Sequence, residues 1–114
     1  MAHNMEQCID NCLDCYRVCL ETIKYCFEQG GKHAAPDHIK ILMDCVMACQ
    51  TSANFMIRGS EMHGQTCGVC AEACRRCATE CEKMADDEQM QKCAEACRRC
   101  QRTCEEMASS ATSA

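Results

Sequence analysis

One spacing of cysteines recurs along this chain and limits what it can fold into. The pattern C-x3-C-x2-C-x3-C begins at Cys8, at Cys70 and again at Cys93. Two of the copies share the sequence CAEACRRC, over residues 70–77 and 93–100. Side chains three and four residues apart lie on the same face of an α-helix. The spacing therefore predicts three helices, each with a stripe of thiols along one face.

Helix-breaking residues divide the chain into four predicted helices. Glycine pairs or turn residues interrupt the helical pattern three times, and a proline suits the first position of the second helix. These residues are Gly30, Gly31, Pro36, Gly59, Ser60, Asp86 and Asp87. The predicted helices cover about 4–29, 36–58, 61–84 and 87–108, and a small, polar, frayed tail is expected over 109–114. A chain of 114 residues suits one compact domain, which we expect to span 1–114.

The cysteines replace the residues that usually fill a core. Leu, Ile, Val and Phe together number 13, whereas Cys numbers 16 and Met 9. The faces opposite the thiols carry glutamate and arginine, for example Glu72, Arg76 and Arg98, so the thiols must turn inward. We therefore predict an all-α fold, a four-helix bundle with a cysteine-lined core.

All 16 cysteines are candidate metal ligands. Because so many thiols on inward positions exceed what packing requires, we interpret the interior as a site. By predicted helix, they are Cys8, Cys12, Cys15, Cys19 and Cys26; Cys45 and Cys49; Cys67, Cys70, Cys74, Cys77 and Cys81; and Cys93, Cys97, Cys100 and Cys104. Further candidate ligands continue these stripes towards the helix ends, namely His38, His63, Met84 and Met90, with Met5 and Met107 as thioethers of the same kind. His3 and His33 are expected to be solvated.

Charge and composition exclude several classes of protein. A net charge of −5 argues against phosphate contacts with nucleic acid. No apolar run approaches the roughly 20 residues of a membrane span, and the first residues do not resemble a secretory signal, so we expect a cytoplasmic protein. In a reducing compartment, cysteines serve metal or redox chemistry more often than disulfides. No arrangement typical of a catalytic nucleophile or a phosphate loop is present, so we expect no enzymatic activity.

The charge of the core favours Cu(I) over other soft metals. Four zinc ions, each held by four thiolates, would leave a net charge of about −8 in the interior. Cu(I) at about one ion per thiolate exchanges each proton for one monovalent cation, so the core stays near neutral. Iron–sulfur clusters need cysteines that converge on one point, usually from a loop. Zinc binding, an iron–sulfur protein and a thiol redox buffer or sensor remain the alternatives.

The methionine-flanked C-x3-C-x2-C-x3-C stripes on three of four short helices resemble those of the copper storage proteins. The resemblance covers roughly residues 5–108. It implies a cytosolic homotetramer that stores many Cu(I) ions inside each bundle. It also implies that copper enters at one open end, where Met or His ligands lie. The chain departs from the family pattern in its second helix, which offers only two cysteines.

A second apolar stripe on the first helix predicts self-association. It lies one residue step, about 100°, from the cysteines and comprises Ile9, Leu13, Tyr16, Leu20, Ile23 and Phe27. The second helix adds Ile39, Met43, Val46, Met47 and Ile57 outside its own cysteine stripe. Since a bundle has limited room for two apolar faces per helix, we predict a homo-oligomer formed through helices one and two. The sequence identifies no protein that donates or accepts copper.

Overall fold

The chain folds into four helices that follow one another with short connections. The computed structural model describes residues 2–113, and the side chains of residues 4–110. The helices are α1 (Ala2–Gln29), α2 (Pro36–Ile57), α3 (His63–Glu82) and α4 (Glu88–Ser113), and a 3-10 turn (Gly31–Ala34) lies between α1 and α2. There is no strand within residues 2–113. The predicted all-α fold is confirmed.

The helices form a closed ring around a long interior. Each packs against two neighbours, in the pairs α1–α2, α2–α3, α3–α4 and α4–α1. The bundle measures 46 × 19 × 18 Å, so its interior is narrow and extends along the helix axes. Because each connection is short, successive helices run in opposite directions. The end of the bundle where α1 begins, the Cys8 end, therefore contains one connection, and the opposite end, the Cys26 end, contains two.

Local residues explain where the helices begin and end. Gly30, Gly31 and Gly59 adopt positive φ angles of 70°, 54° and 71°, which glycine tolerates and which reverse the chain after α1 and α2. Pro36 begins α2, where its missing N–H costs no hydrogen bond. The Asp87 carboxylate accepts the backbone N–H of Met90 at 3.1 Å and caps the start of α4.

Asp87 also joins the two connections at the Cys26 end. Its Oδ2 atom accepts the Tyr25 hydroxyl at 2.8 Å and lies 2.9 Å from Nε2 of His33. Tyr25 and His33 pack edge to face, with ring centroids 5.8 Å apart. The prediction that His33 is solvated is wrong, because this carboxylate holds the imidazole in a half-buried position. The side chain of His3 lies outside the described residues.

Helix α4 is longer than predicted, because it extends into the predicted tail. Helix α4 continues through Ser113, and Ala114 lies outside the described residues. Residues 108–113 contain no glycine or proline that would stop the helix. Helix α3 is shorter than predicted, since Lys83 and Met84 donate to the carbonyls of Glu80 and Cys81, three residues back, and so end it in a tight turn.

No helix among residues 2–113 combines the length and the apolar character needed to cross a membrane. Many of the apolar side chains face the axis of the bundle. All 16 cysteines are completely buried, together with a few aliphatic residues such as Leu42 and Val46. All 16 are also free thiols. The interior is therefore lined mainly by sulfur, as the spacing predicts.

Candidate metal centre

The inward row of each helix follows one register, in which steps of three and four residues alternate. This is the heptad spacing that keeps side chains on the axis of a helical bundle. On α2 the register continues beyond its two cysteines and places other residue types on the axis. The inward row of α2 is His38, Leu42, Cys45, Cys49, Ser52 and Met56, all of them buried. Helix α2 therefore has a full set of inward positions, but residues other than cysteine occupy four of them.

Sulfur atoms from different helices meet near the middle of the bundle. Cys15 Sγ lies 3.7 Å from that of Cys97 on α4 and 3.8 Å from that of Cys45 on α2. Cys45 Sγ in turn lies 3.7 Å from that of Cys74 on α3. Thiols from all four helices are thus in van der Waals contact around one axis. A metal ion among these sulfur atoms could therefore take ligands from several helices.

The thiols form a continuous series of possible metal sites along the bundle. Five groups each bring their ligand atoms within 4.8 Å of one another. In order along the axis they are Cys8, Cys67 and Cys104; Cys12, Cys70, Cys100 and Cys104; Cys15, Cys49, Cys74 and Cys100; Cys15, Cys19, Cys45 and Cys97; and Cys19, Cys77, Cys93 and Cys97. Each group shares at least one cysteine with the next, so 14 of the 16 cysteines belong to one connected row.

At the Cys8 end, the row finishes in a layer with three thiols. Cys8 and Cys104 bring their sulfur atoms to 3.6 Å, and Cys67 completes the layer. Two inward residues of α2 border Cys67: the Met56 thioether sulfur at 3.7 Å and the Ser52 hydroxyl oxygen at 3.2 Å. The cysteine spacing predicts that Met56 shares the inward face of α2 but does not identify Ser52, which follows Cys49 at the step of three residues that marks this face.

At the Cys26 end, the donor atoms are mixed. Cys26 Sγ lies 3.4 Å from Nε2 of His38 and 3.8 Å from Sδ of Met90. The other nitrogen of His38, Nδ1, lies 3.9 Å from a carboxylate oxygen of Glu80. A carboxylate beside the second ring nitrogen of a metal-binding histidine helps to orient the ring. A thiol, an imidazole and a thioether together suit a soft monovalent ion.

Burial keeps the terminal thiols protonated and the imidazole neutral. Desolvation, followed by the negative charge of Cys93 and Asp87, raises the pKa of Cys26 to about 11. Desolvation also lowers the pKa of His38, against the opposing effect of Glu80. His38 therefore presents a free lone pair at neutral pH, while Cys26 keeps its proton until a metal ion binds the sulfur and displaces that proton to water.

Within the row, neighbouring thiols shift one another in opposite directions. Contacts with Cys15 and Cys19 lower the pKa of Cys45. Contacts with Cys100 and Cys12 raise the pKa of Cys104. A thiol that donates its hydrogen loses it less readily, and the sulfur that accepts it is more easily ionised. The row is therefore a network of coupled donors and acceptors.

Two of the four additional candidate ligands lie beside a thiol. His38 and Met90 are buried and contact Cys26. His63 is half-buried at the Cys8 end, and its Nδ1 atom lies 2.8 Å from the carbonyl oxygen of Ser60. Met84 is half-buried against the core near the other end. The periodicity identified the faces of these residues, but their depth depends on the connections that precede or follow them.

Comparisons with known proteins agree with a copper-binding interior. The family model described as copper storage protein matches residues 1–109. The Nmul_A1745 protein from Nitrosospira multiformis is similar to this chain, with 44% identity, a TM-score of 0.90 and coverage of 96% of this chain and 98% of that one. The Cu(I)-bound copper storage protein BsCsp3 is 32% identical, with a TM-score of 0.86 and coverage of 92% and 98%. A cytosolic copper storage protein from Streptomyces lividans with five coppers is 28% identical, with a TM-score of 0.82 and coverage of 94% and 93%. Since the family model spans nearly the whole chain, this protein belongs to the copper storage protein family.

Proposed function

We propose that this protein binds and stores multiple Cu(I) ions inside its bundle, with the 16 cysteine thiolates as the main ligands. The connected row of thiol groups supports the proposal, because it offers adjacent sites for many ions. Thiolates bind Cu(I) readily, and sulfur can bridge neighbouring ions. The membership of the copper storage family points the same way.

The electrostatics of the interior favour a monovalent cargo. Every cysteine is fully buried, so an ionised thiolate without a cation would be costly. When Cu(I) replaces a thiol proton, the local charge is unchanged. The same bundle can therefore be folded both empty and full, which a store requires. A divalent ion on every site would lack this property.

The residues at the two ends are proposed as secondary ligands. His38 and Met90 place donor atoms within 3.8 Å of the sulfur of Cys26 on α1. His63 and Met84 are half-buried near opposite ends, where an entering ion would meet them before it reached the thiols. Thioethers and imidazoles bind Cu(I) more weakly than thiolates do, so these residues suit transfer rather than retention.

An anaerobic titration with Cu(I) tests the proposal. We expect binding to continue well beyond four ions per chain, towards roughly one ion per thiolate. The far-ultraviolet circular dichroism should change little, because the helices form without metal. Saturation at one to four ions would contradict multi-ion storage. A parallel titration with Zn(II), and the colour of the protein as purified, test the zinc and iron–sulfur alternatives.

The proposed role is homeostasis or detoxification of copper without catalysis. The family is one of storage proteins, and a Streptomyces lividans relative is described as cytosolic. We therefore propose a cytoplasmic location for this protein. Cells that lack the protein are expected to tolerate less added copper than cells that express it, and growth at graded copper concentrations measures the difference.

We further propose a homo-oligomer, a tetramer by resemblance, that forms through α1 and α2. Leu13, Leu20 and Phe27 on α1 are exposed, as are Met43, Met47 and Ile57 on α2. Ile23 and Val46, which belong to the same predicted stripes, are instead buried within the protomer. The remaining exposed apolar side chains suit burial against another copy.

Charged substitutions separate this interface from other surfaces. The double variant Leu20→Glu/Phe27→Glu is expected to elute as a smaller species than the wild type in size exclusion with light scattering. The matched variant Val69→Glu places a charge on an exposed apolar position of α3 and should leave the size unchanged. A monomeric wild type, or a monomeric Val69→Glu variant beside an assembled double variant, would contradict the α1–α2 interface.

A further inference from the structure

Ser52 occupies a position on the bundle axis where a thiol is expected. It lies three residues after Cys49 and four before Met56, in the inward register of α2, and it is completely buried. At this layer the other three helices each contribute a cysteine: Cys8 from α1, Cys67 from α3 and Cys104 from α4. Helix α2 contributes a hydroxyl instead.

That hydroxyl lies against one of the three thiols. The distance from Ser52 Oγ to Cys67 Sγ is 3.2 Å, which is shorter than the sulfur–sulfur contacts of 3.6 Å and more in the row. The next inward residue, Met56, places its uncharged sulfur 3.7 Å from the same atom. Cys67 is therefore bordered on the α2 side by two neutral groups.

The contact is a particular feature of Ser52 and not of every buried hydroxyl in the inward rows. Thr22 holds the equivalent register on α1, between Cys19 and Cys26, and is also completely buried. Its hydroxyl donates to the carbonyl of Val18 at 2.7 Å and accepts from the amide of Gln89 at 2.9 Å. Thr22 thus satisfies the backbone and a neighbouring helix, whereas Ser52 faces sulfur.

A hydroxyl in this place changes what Cys67 can do as a ligand. When Cu(I) has displaced its proton, Cys67 is a thiolate, and Ser52 can donate a charge-assisted hydrogen bond to it. This bond stabilises the thiolate and engages one of its three lone pairs, so that the sulfur donates less electron density to a second ion. A fourth thiolate would instead add negative charge at this layer and extend the row.

We infer that Ser52 is a positioning residue that keeps Cys67 as a terminal copper ligand and so ends the row at a layer of three thiolates. The inference rests on the proposed storage of Cu(I). Through Ser52, α2 helps to set the number of ions that the bundle holds and the affinity for the last ion at the Cys8 end.

Three variants test the inference on the full-length protein, loaded anaerobically with Cu(I). Native mass spectrometry counts the bound ions as a Cu(I) chelator, bathocuproine disulfonate, is added. Ser52→Ala should bind one ion about tenfold more weakly and therefore release it at a lower chelator concentration, the size of effect expected for a hydrogen bond to a charged group. Ser52→Cys should bind one ion more than the wild type, because the layer then has four thiols. Thr22→Ala, the matched control, should bind and release copper as the wild type does.

The results distinguish a failure of the proposed role of Ser52 from a failure of copper storage itself. If the wild type binds only one to four ions, the storage function itself fails. If the wild type binds many ions and Ser52→Ala retains all of them as firmly, the role of Ser52 is overturned. Equal losses of copper from Ser52→Ala and Thr22→Ala would also overturn it, because both variants remove a buried hydroxyl and only one removes a contact with sulfur.

Discussion

The metal-free protein is expected to lose stability steeply between about pH 9 and pH 11, while the Cu(I)-loaded protein stays folded across this range. The reason lies in the terminal thiols. Desolvation raises the pKa of Cys26 from its usual 9.0 to about 11. The pKa of Cys67 also rises to about 11, where contact with Cys104 lowers it and contact with Cys8 and burial raise it.

The direction follows from proton linkage. A group with a raised pKa in the folded state binds its proton more tightly there than in the unfolded chain, so it stabilises the fold below pH 9.0. That contribution falls as the pH rises towards 11, since the unfolded chain ionises first. Each pKa unit corresponds to about 1.4 kcal/mol of unfolding free energy at the high-pH limit. In the loaded protein copper has already replaced the protons, and this source of pH dependence is absent.

Thermal unfolding followed by circular dichroism at pH 8, 9, 10 and 11 measures the effect. We expect the unfolding temperature of the metal-free protein to fall across the series, and that of the loaded protein to change far less. Cys26→Ala removes one of the shifted thiols and should flatten the metal-free profile. Parallel profiles for the two forms would contradict this account of the core.

Loss of one central thiol is expected to remove more copper than loss of a peripheral one. Cys15 belongs to two of the five thiol groups and contacts Cys19, Cys45 and Cys97 at 3.7–3.8 Å. Cys81 is just as completely buried but belongs to none of the groups. Because a shared sulfur can bridge ions on both sides, we expect Cys15→Ala to lose about two ions or more, and Cys81→Ala at most about one.

The two substitutions are matched in size and burial, so their effects on packing should be similar. Each removes one sulfur atom from the core, with a modest loss of stability. Copper content after saturation and desalting is the measurement, normalised to protein and compared with the wild type. Equal capacities for the two variants would show that copper does not depend on the shared positions of the row.

The spacing of the cysteines was sufficient to predict the fold class and the inward faces. Steps of three and four residues determine which face a side chain occupies, whatever the rest of the fold does. They do not determine its height along the axis relative to residues on other helices. The connections between the helices set these heights. They bring the sulfur of Cys12 to 3.6 Å from that of Cys100, and the sulfur of Cys19 to 3.7 Å from that of Cys93.

The differences between the predictions and the structure have separate physical causes. His33 lies in a turn, and the Tyr25 ring and the Asp87 carboxylate from the α3–α4 connection shield it from solvent. Ser52 was overlooked because serine carries no metal preference, although its register matches that of Cys45 and Cys49. The small, polar residues after 108 predict an earlier end of α4, yet none of residues 108–113 is a glycine or proline, and the helix continues to Ser113.

Because neighbouring thiol groups share ligands, the interior is one continuous series of sites and not a set of separate compartments. An ion held by Cys12 and Cys100 can exchange the Cys12 thiolate for a thiolate of the next group. Cys100 belongs to both groups and holds the ion during the exchange. We expect copper to pass from one group of this row to the next without returning to water. In such a series, the position of an ion along the bundle axis determines when it is released, and an ion at either end leaves before one at the centre.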